Sequence, residues 1–264
     1  MRFTVVTPVF NGMPWLPDAI ESVAAQRADV DLEHIVLDGG STDGSREWLA
    51  AHADLGYTLV AEPDEGQTDA MIKGFARATG EILGWLNSDD LYEPGALAAA
   101  RDVFEARPDV VIVSGGCLVI DAASAVVGSI PVPPVSTFDE LIHFPTNLAD
   151  GTLFRADAYR AIGGLDRSFN LAMDVDLWMR LARRGAIVTL PDRVQCRFRI
   201  HPSAKTVAGI VPATREDLRA RLRQGLAPWS PAARYLLYHG YWRPFVAGVR
   251  ARVGRRGQDG AHGA

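Results

Sequence analysis

The sequence predicts an α/β fold organised on a mostly parallel sheet, and three observations predict it. From Phe3 to Val113, short apolar runs that read as strands alternate with segments whose apolar residues recur at helical spacing. The runs, Phe3–Val6 and Ile82–Leu86 among them, are apolar at nearly every position, as strands covered on both faces must be. Beyond Gly115 the alternation gives way to shorter strands and a hairpin, so a mixed second half follows a parallel first half.

Phe3–Val6 is the first strand, and Pro8, Asn11, Gly12 and Pro14 break the chain after it. Leu16, Ala19, Ile20 and Val23 form one apolar face of a helix from Trp15 to Gln26. His34–Leu37 is the second strand and runs into a polar turn, Asp38 to Gly44, in which Asp43 caps the next helix. That short helix spans Arg46–His52; Tyr57–Val60 is the third strand, and Thr68–Ala78 a helix stopped by Gly80. Ile82–Leu86 is the fourth strand. Pro94 suits the first turn of a helix reaching Ala106, and Val110–Val113 is the fifth strand. Leu118–Ile120 and Ala125–Ile130 then make a hairpin around Asp121–Ser124. Thr152–Phe154, Ile187–Leu190 and Val194–Ile200 are further strands; Gly163, Gly164 and Asp166 form a helix stop and a turn. Asp174–Arg184 is a helix with Leu177, Trp178 and Leu181 on its core face, and the chain is helical from Pro212 on. This divides the chain into a catalytic domain over 1–205, with halves 1–114 and 115–205, and a basic helical extension over 206–264 whose last residues, Gly257 to Ala264, are disordered.

A chain of 264 residues that is 48% hydrophobic has ample core for one large domain, with or without an appendage. No apolar run approaches the roughly 18–20 residues of a membrane span. Met1 leads straight into a strand and leaves no room for a signal peptide, so residence in the cytoplasm is expected. Cys117 and Cys196 lie in apolar, strand-like surroundings and read as buried free thiols. The net charge of −5 hides an asymmetry: ten arginines and two acids fall between Arg215 and Arg256, which leaves the body strongly acidic. An acidic body argues against nucleic acid as a partner. Arginine far outnumbers lysine and alanine is abundant, a bias of GC-rich bacterial genomes.

The most informative stretch is Leu86-Asn87-Ser88-Asp89-Asp90-Leu91-Tyr92-Glu93-Pro94. Asp89 and Asp90 sit where a buried strand ends, and open α/β sheets bind ligands at the carboxyl ends of their strands. Carboxylate oxygens there suit a hard cation such as Mg²⁺ or Mn²⁺, which usually also takes substrate phosphate oxygens. An Asp-rich turn that caps the following helix is the plainer alternative.

Further segments keep company with this pair: Thr4-Val5-Val6-Thr7-Pro8-Val9-Phe10-Asn11-Gly12, Glu33 to Gly44, Glu65-Gly66-Gln67, Gly80 to Asp90, Asp174 to Leu181, and Phe198-Arg199-Ile200-His201-Pro202. In this order and spacing over residues 3–205 the chain resembles a family 2 glycosyltransferase of the GT-A fold, a nucleotide-sugar-dependent enzyme. The remaining 206–264 carries no motif of that family. The resemblance implies a nucleoside site at Thr7, Pro8, Phe10, Asn11 and Asp38. There a Phe10 ring can face a base, Asn11 can bond its edge or the ribose, and Asp38 can accept from a uracil imide N–H. Asn87-Ser88-Asp89-Asp90 occupies the place of the family's Asp-x-Asp motif with Asn in its first position, so Asp89 and Asp90 become metal ligands and His201 a third. A surface histidine in a turn is the other reading of His201. Gln67 and Lys73 then reach phosphate or ribose, Lys73 being equally readable as a solvated helix charge, and the Asp150-Gly151-Thr152 loop lines the donor sugar.

Asp174 resembles the acidic residue that serves the family as general base, with Met173 in place of the usual Glu. Asp174 can equally cap its helix, and Asp176 is the alternative base; two residues apart on a helix, they point about 200° apart, so one of them faces the site. The activity the resemblance implies is inverting transfer, of the hexosyl type and metal-dependent, from a nucleotide diphosphate sugar, most often a UDP-sugar in that family, to a hydroxyl of a glycan or lipid-linked acceptor in cell-surface polysaccharide or glycolipid synthesis. Its rivals are a nucleotidyltransferase of related fold, which needs a basic Gly-rich loop near the first strand, and a non-catalytic nucleotide-sugar-binding protein, which would lack the base or the metal carboxylates. In the tail, Trp229, Tyr235, Tyr238, Tyr241, Trp242 and Phe245 stand among Arg234, Arg243, Arg250 and Arg252. These residues suit either an anionic membrane surface at the inner face of the plasma membrane or packing on the catalytic domain.

Overall fold

The structure is a computed structural model that describes residues 1–144, 151–202 and 204–242. In chain order the strands are β1 (Arg2–Val9), β2 (Asp31–Asp38), β3 (Thr58–Ala61), β4 (Ile82–Trp85), β5 (Leu91–Tyr92), β6 (Val110–Ile120), β7 (Val126–Ile130), β8 (Leu153–Arg155) and β9 (Ala186–Arg199). The helices are α1 (Leu16–Ala25), α2 (Ser45–Ala51), α3 (Gln67–Arg77), α4 (Ala96–Ala106), α5 (Phe138–His143), α6 (Ala156–Ala161), α7 (Met173–Ala182), α8 (Lys205–Arg223) and α9 (Pro231–Leu237).

The strands join one sheet in the order β3-β2-β1-β4-β8-β6-β9-β5, with β7 hairpinned onto the far half of β6. β1, β2, β3 and β4 run parallel, β8 runs against both β4 and β6, and β9 runs parallel to β6. Six strands therefore end on the same side, and the loops that leave β1, β2, β4 and β9 gather there. Alternation along β1 sorts the helices: Phe3 and Val5 pack with α1 and α4, whereas Val6 joins the cluster of α3 and α5 to α9. Val36 and Leu49 bring α2 to the α1 side. The sheet is thus covered on both faces, as its apolar strands require.

Several elements differ from the sequence expectation, each for a physical reason. The fifth strand and the first hairpin arm are one strand, β6, because the polar-looking Ser114-Gly115-Gly116 is buried between β8 and β9. The two strands expected over 187–200 are likewise one, β9. Gly115 opposes Leu190 and Gly116 opposes Val194, so Pro191–Arg193 bulge outward, which is where a proline fits a sheet. Pro94 lies outside α4, which starts at Ala96 behind Gly95 in the left-handed region (φ 74°). The last helical segment begins earlier than Pro212: α8 starts at Lys205 and carries Pro212 within it, exposed and without an N–H for the helix ladder. Leu218 and Ala220 of α8, and Ala232, Ala233 and Leu236 of α9, belong to the same apolar cluster as β4, β8 and α7. Arg221, fully buried, pairs with Asp217 and donates to the carbonyls of Leu141 and Ile142 at the end of α5. Burial pushes the Asp217 carboxyl up, with Arg221 opposing the shift. Cys117 and Cys196 are buried thiols outside any disulfide, on directly paired positions of β6 and β9, with their Sγ atoms 3.0 Å apart. The expected disorder over Gly257 to Ala264 falls outside the described residues.

At the base of the sheet, Gly80 admits the chain between α3 and β4. A Cβ there would lie 2.6 Å from the Thr4 amide nitrogen and 2.8 Å from the Phe3 carbonyl carbon. Backbone cannot yield as a side-chain tip can, so Gly80→Ala is expected to cost about 1–3 kcal/mol. A chemical-denaturation midpoint that stays at the wild-type value would refute this tight crossing.

Candidate active site

The site is assembled from loops at the carboxyl ends of the parallel strands. The loop after β1 and the loop after β2 are stitched together. Asn11, at a left-handed φ of 54°, receives the Thr42 N–H on its Oδ1 (2.9 Å) and gives its own N–H to Ser41 Oγ (2.9 Å). Asp43 accepts from Met13 N–H (2.8 Å) and from Ser45 N–H (3.0 Å) at the start of α2. Partial burial works against its ionised form, but the bonds from Ser45 and Met13 outweigh that and hold the carboxyl below its ordinary range. Asp43 is thus spent on the loop; it is not the expected helix cap, because the N-cap of α2 is Gly44 in the left-handed region and Asp43 stands one residue before it.

Asp38 ends β2 almost fully buried. Its Oδ1 accepts from Ser41 N–H (3.0 Å); its Oδ2 has no hydrogen-bond partner among the described residues, the nearest cation being Arg46 at 3.8 Å. A buried carboxylate oxygen left in this state costs stability unless something else binds it. Phe10 follows Val9, the register partner of Asp38, and has 67% of its surface exposed. Thr7 and Pro8 are buried within the strand instead. The Thr7 hydroxyl lies 3.0 Å from His34 Nε2, and burial, with Arg27 nearby, pushes that imidazole down to about 3, so it stays neutral. Their side chains support the loop and do not line it.

The loop after β4 forms the second cluster. Gly12 packs on Ser88, so the two loops touch: a Cβ on Gly12 would lie 3.2 Å from Ser88 Cβ. Asp89 and Asp90 part company. Asp89 keeps 27% of its side chain exposed, and its Oδ2 lies 2.9 Å from Nε2 of His201, brought in by the end of β9. Trp15 lies against that imidazole, with ring centroids 4.1 Å apart. Asp90 turns inward. Its Oδ1 accepts from the Arg199 amide (2.8 Å) and its Oδ2 from Asn87 Nδ2 (2.9 Å), while Asn87 Oδ1 accepts from Gln67 Nε2 (2.7 Å). Donor and acceptor roles are fixed along that chain from α3 to β9. Arg199, wholly buried, donates to the carbonyls of Asp89 (2.8 Å) and Asp121 (3.1 Å) and to Ser124 Oγ (2.8 Å). Sequence reasoning gave Trp15 and Arg199 no role. A cation inside an otherwise buried strand end was the signal available for Arg199.

The remaining predicted residues spread out. Lys73 is drawn away to Asp69 (2.8 Å) and the Pro63 carbonyl (2.7 Å); the Lys73 ammonium holds the Asp69 carboxyl below its ordinary range. Gly151 sits at φ 78° against Cys196 and Tyr92, a packing position next to β5 and β9. Thr152 is buried with its hydroxyl 2.7 Å from Ser114 Oγ. Asp150 lies outside the described residues. On α7 the two acids separate. Asp176 is buried against the Arg180 guanidinium (2.6 Å), which also donates to the Ile162 and Gly164 carbonyls. Asp174 stays half-buried in the first turn, accepting from Val175 N–H (2.8 Å). The start of α7 is tied to α3: the Thr68 hydroxyl reaches the Phe169 carbonyl (2.9 Å) and Met173 Sδ (2.8 Å).

Strand-end loops here hold an open carboxylate, a histidine and a buried aspartate oxygen without a hydrogen bond, at the sheet edge where open α/β folds bind ligands. The sequence profile described as glycosyl transferase family 2 matches residues 4–117. An uncharacterized glycosyltransferase of Mycobacterium tuberculosis is 31% identical over 196 residues, which cover 73% of this chain and 72% of that protein. A PGL/p-HBAD biosynthesis glycosyltransferase of Mycobacterium bovis is 30% identical over 193 residues, 71% of this chain and 72% of that one. Two solved structures share the fold. A mannosyltransferase from Pyrobaculum calidifontis in complex with GDP-Man and Mn²⁺ aligns with TM-score 0.68 and 24% identity, over 96% of this chain and 75% of that one. S. aureus TarS in complex with UDP-GlcNAc aligns with TM-score 0.64 and 15% identity, over 91% and 70%. The chain belongs to glycosyl transferase family 2, and it is a glycosyltransferase.

The split between the two adjacent aspartates is testable on stability alone. Asp90→Asn sets an amide donor against Asn87 or the Arg199 amide, and should cost about 1–3 kcal/mol. Asp89→Asn should cost less than that, under about 1 kcal/mol, because the Asn amide oxygen can still accept from the largely buried His201 ring. Equal destabilisation by both would mean that Asp89 is as structural as Asp90.

Proposed function

We propose that the enzyme transfers a sugar with inversion from a nucleotide diphosphate donor, a UDP-sugar first among the choices, to a hydroxyl of a glycan or lipid-linked acceptor. The observation that carries the proposal is the meeting of Asp89 and His201 beside the Asp38 loop. Among the described residues no group of three or more His, Cys, Asp or Glu side chains stands ready to hold a metal. The Asp89–His201 pair nonetheless fits one whose other ligands come from the substrate. Adjacent ligands of an octahedral ion bound at about 2.1 Å lie about 3 Å apart, close to the 2.9 Å between these atoms. The ligands bound in those two fold neighbours, GDP-Man with Mn²⁺ and UDP-GlcNAc, are of the same class. Asp90, with both oxygens engaged, serves to hold the loop. When bound, Mg²⁺ or Mn²⁺ would offset the charge gathering on the leaving diphosphate.

The rest of the chemistry falls to the chain. Asp38 Oδ2 accepts from the base, and Phe10 offers it a ring face. Asp174 takes the proton of the acceptor hydroxyl as that oxygen bonds to the anomeric carbon and the bond to the diphosphate oxygen breaks. Asp176 is excluded from that role by its bond to Arg180. A hydrolysis and transfer screen across UDP-, GDP- and dTDP-sugars with Mg²⁺ or Mn²⁺ should return one preferred nucleotide. Asp174→Asn should lower turnover by roughly 10²-fold at nearly unchanged donor KM, since a lost base acts on the transition state. A product of retained anomeric configuration, or normal turnover in that variant, would reject the mechanism.

The same proposal places the enzyme on the cytoplasmic face of an anionic membrane. No helix among the described residues is long and apolar enough to cross a bilayer. On α9 and its flanks Leu236 faces the core, whereas Trp229 is 74% exposed and Tyr235, Tyr238 and Leu237 are exposed beside Arg234. Tyr241, Trp242, Arg243, Phe245, Arg250 and Arg252 have side chains outside the described residues. Exposed rings among arginines suit a headgroup layer, each cation adding about 1 kcal/mol. The triple variant W229S/Y235S/Y238S should stop co-sedimenting with phosphatidylserine vesicles while its donor KM stays the same. Wild-type protein that ignores such vesicles at low salt would dispose of this part of the proposal.

A further inference from the structure

The loop that leads into α7 is held from the C-terminal side of the chain by one carboxylate. Glu216 of α8 directs a single oxygen, Oε2, at three successive backbone amides: Asn170 (2.9 Å), Leu171 (2.8 Å) and Ala172 (3.1 Å). Ala172 is the N-cap of α7 and supplies no side-chain cap of its own. The amides at a helix start have no partner within the helix and carry its positive partial charge. A carboxylate there makes short, charge-assisted bonds and fixes where the first turn begins. The neighbouring turns of α8 extend the grip. Arg219 donates to the Ser168 carbonyl (2.6 Å) and lies over the Phe169 ring, and Arg223 reaches Asp166 (3.2 Å) over the other part of the same ring. Thr68 holds Phe169 from the α3 side.

We propose that Glu216 is a positioning residue for the transfer reaction: it acts through the amides of residues 170–172 to set where Asp174, two residues further on, stands. The inference rests on the reading of Asp174 as base. It makes α8, outside the part of the chain matched by the family profile, part of the catalytic equipment. Glu216 touches no reacting atom, so its loss should leave donor binding intact and act on turnover. Misplacing a reacting group by about 1 Å can cost up to 10²-fold.

The experiment is a double-mutant cycle in the full chain. Glu216→Ala should lower kcat by about 10-fold or more, with donor KM and UDP affinity within about twofold of wild type. Glu216→Gln should recover most of that loss, because the amide oxygen still accepts from the same N–H groups. In an Asp174→Asn background Glu216→Ala should cost almost nothing further, since there is no base left to position. Hydrogen exchange at residues 170–172 should quicken in Glu216→Ala. Full kcat in Glu216→Ala, or a loss as large in the Asp174→Asn background as in wild type, overturns the inference. Normal turnover in Asp174→Asn alone overturns the assignment of the base, while the exchange rates still report whether Glu216 holds the loop. If Glu216→Ala does not fold, Glu216→Asp, one methylene short of the three amides, carries the cycle: a loss as large in the Asp174→Asn background as in wild type then refutes the proposal.

Discussion

The buried Asp90 carboxylate meets the backbone of the buried Arg199 where the loop after β4 reaches the end of β9, and the site hangs on that junction. Asp90 is reached by the amide of Arg199, and the Arg199 guanidinium in turn holds the carbonyl of Asp89 and the turn between β6 and β7. A wholly buried guanidinium is costly to desolvate and is stable only when its donors are engaged. The loop after β4, the end of β9 and the β6–β7 turn therefore cannot move independently. Beside this junction the part-exposed Asp89 carboxylate meets the largely buried His201 ring.

A second constraint joins the end of β4 to the helix that bears Asp174. Trp85 at the end of β4 stacks on Trp178 of α7 with centroids 5.1 Å apart and planes 7° from parallel, and Phe154 meets both rings edge-on. Asp174 lies one helical turn before Trp178, so the stack fixes the axis of α7 while the segment 166–172 fixes its start. Aromatic pairs of this kind contribute about 0.5–1.5 kcal/mol beyond their buried area, and the area itself is large. The α8–α9 unit shares that cluster and supplies Glu216, so packing and positioning come from one face of the sheet.

The buried polar groups divide by purpose. Arg221 with Asp217 and Arg180 with Asp176 are engaged by neighbours of the fold, whereas His34 bonds Thr7 through Nε2 and leaves its buried Nδ1 without a hydrogen bond among the described residues. Asp38 Oδ2 is a buried carboxylate oxygen with no hydrogen bond among the described residues. A folded chain tolerates such an atom where a ligand's donor can complete it.

Much of this was legible in the sequence. Apolar runs and helical spacing disclosed the order of β1 to β4 and α1 to α4, because strands buried on both faces and amphipathic helices leave periodic marks. The family was readable from Asp38, from the Asn87–Asp90 segment and from His201, since loop chemistry at strand ends survives as short local patterns. What only the tertiary structure decided was the role of each group. Nothing local tells Asp89 from Asp90, or Asp174 from Asp176: the members of each pair differ in whether Arg199 or Arg180 waits beside them. Glu216 read as one charge in a basic helix until α8 was packed against residues 170–172. Local sequence encodes backbone preference and hydrophobic period, whereas the partner of a polar side chain is set by segments tens of residues away, which only the folded chain brings into contact.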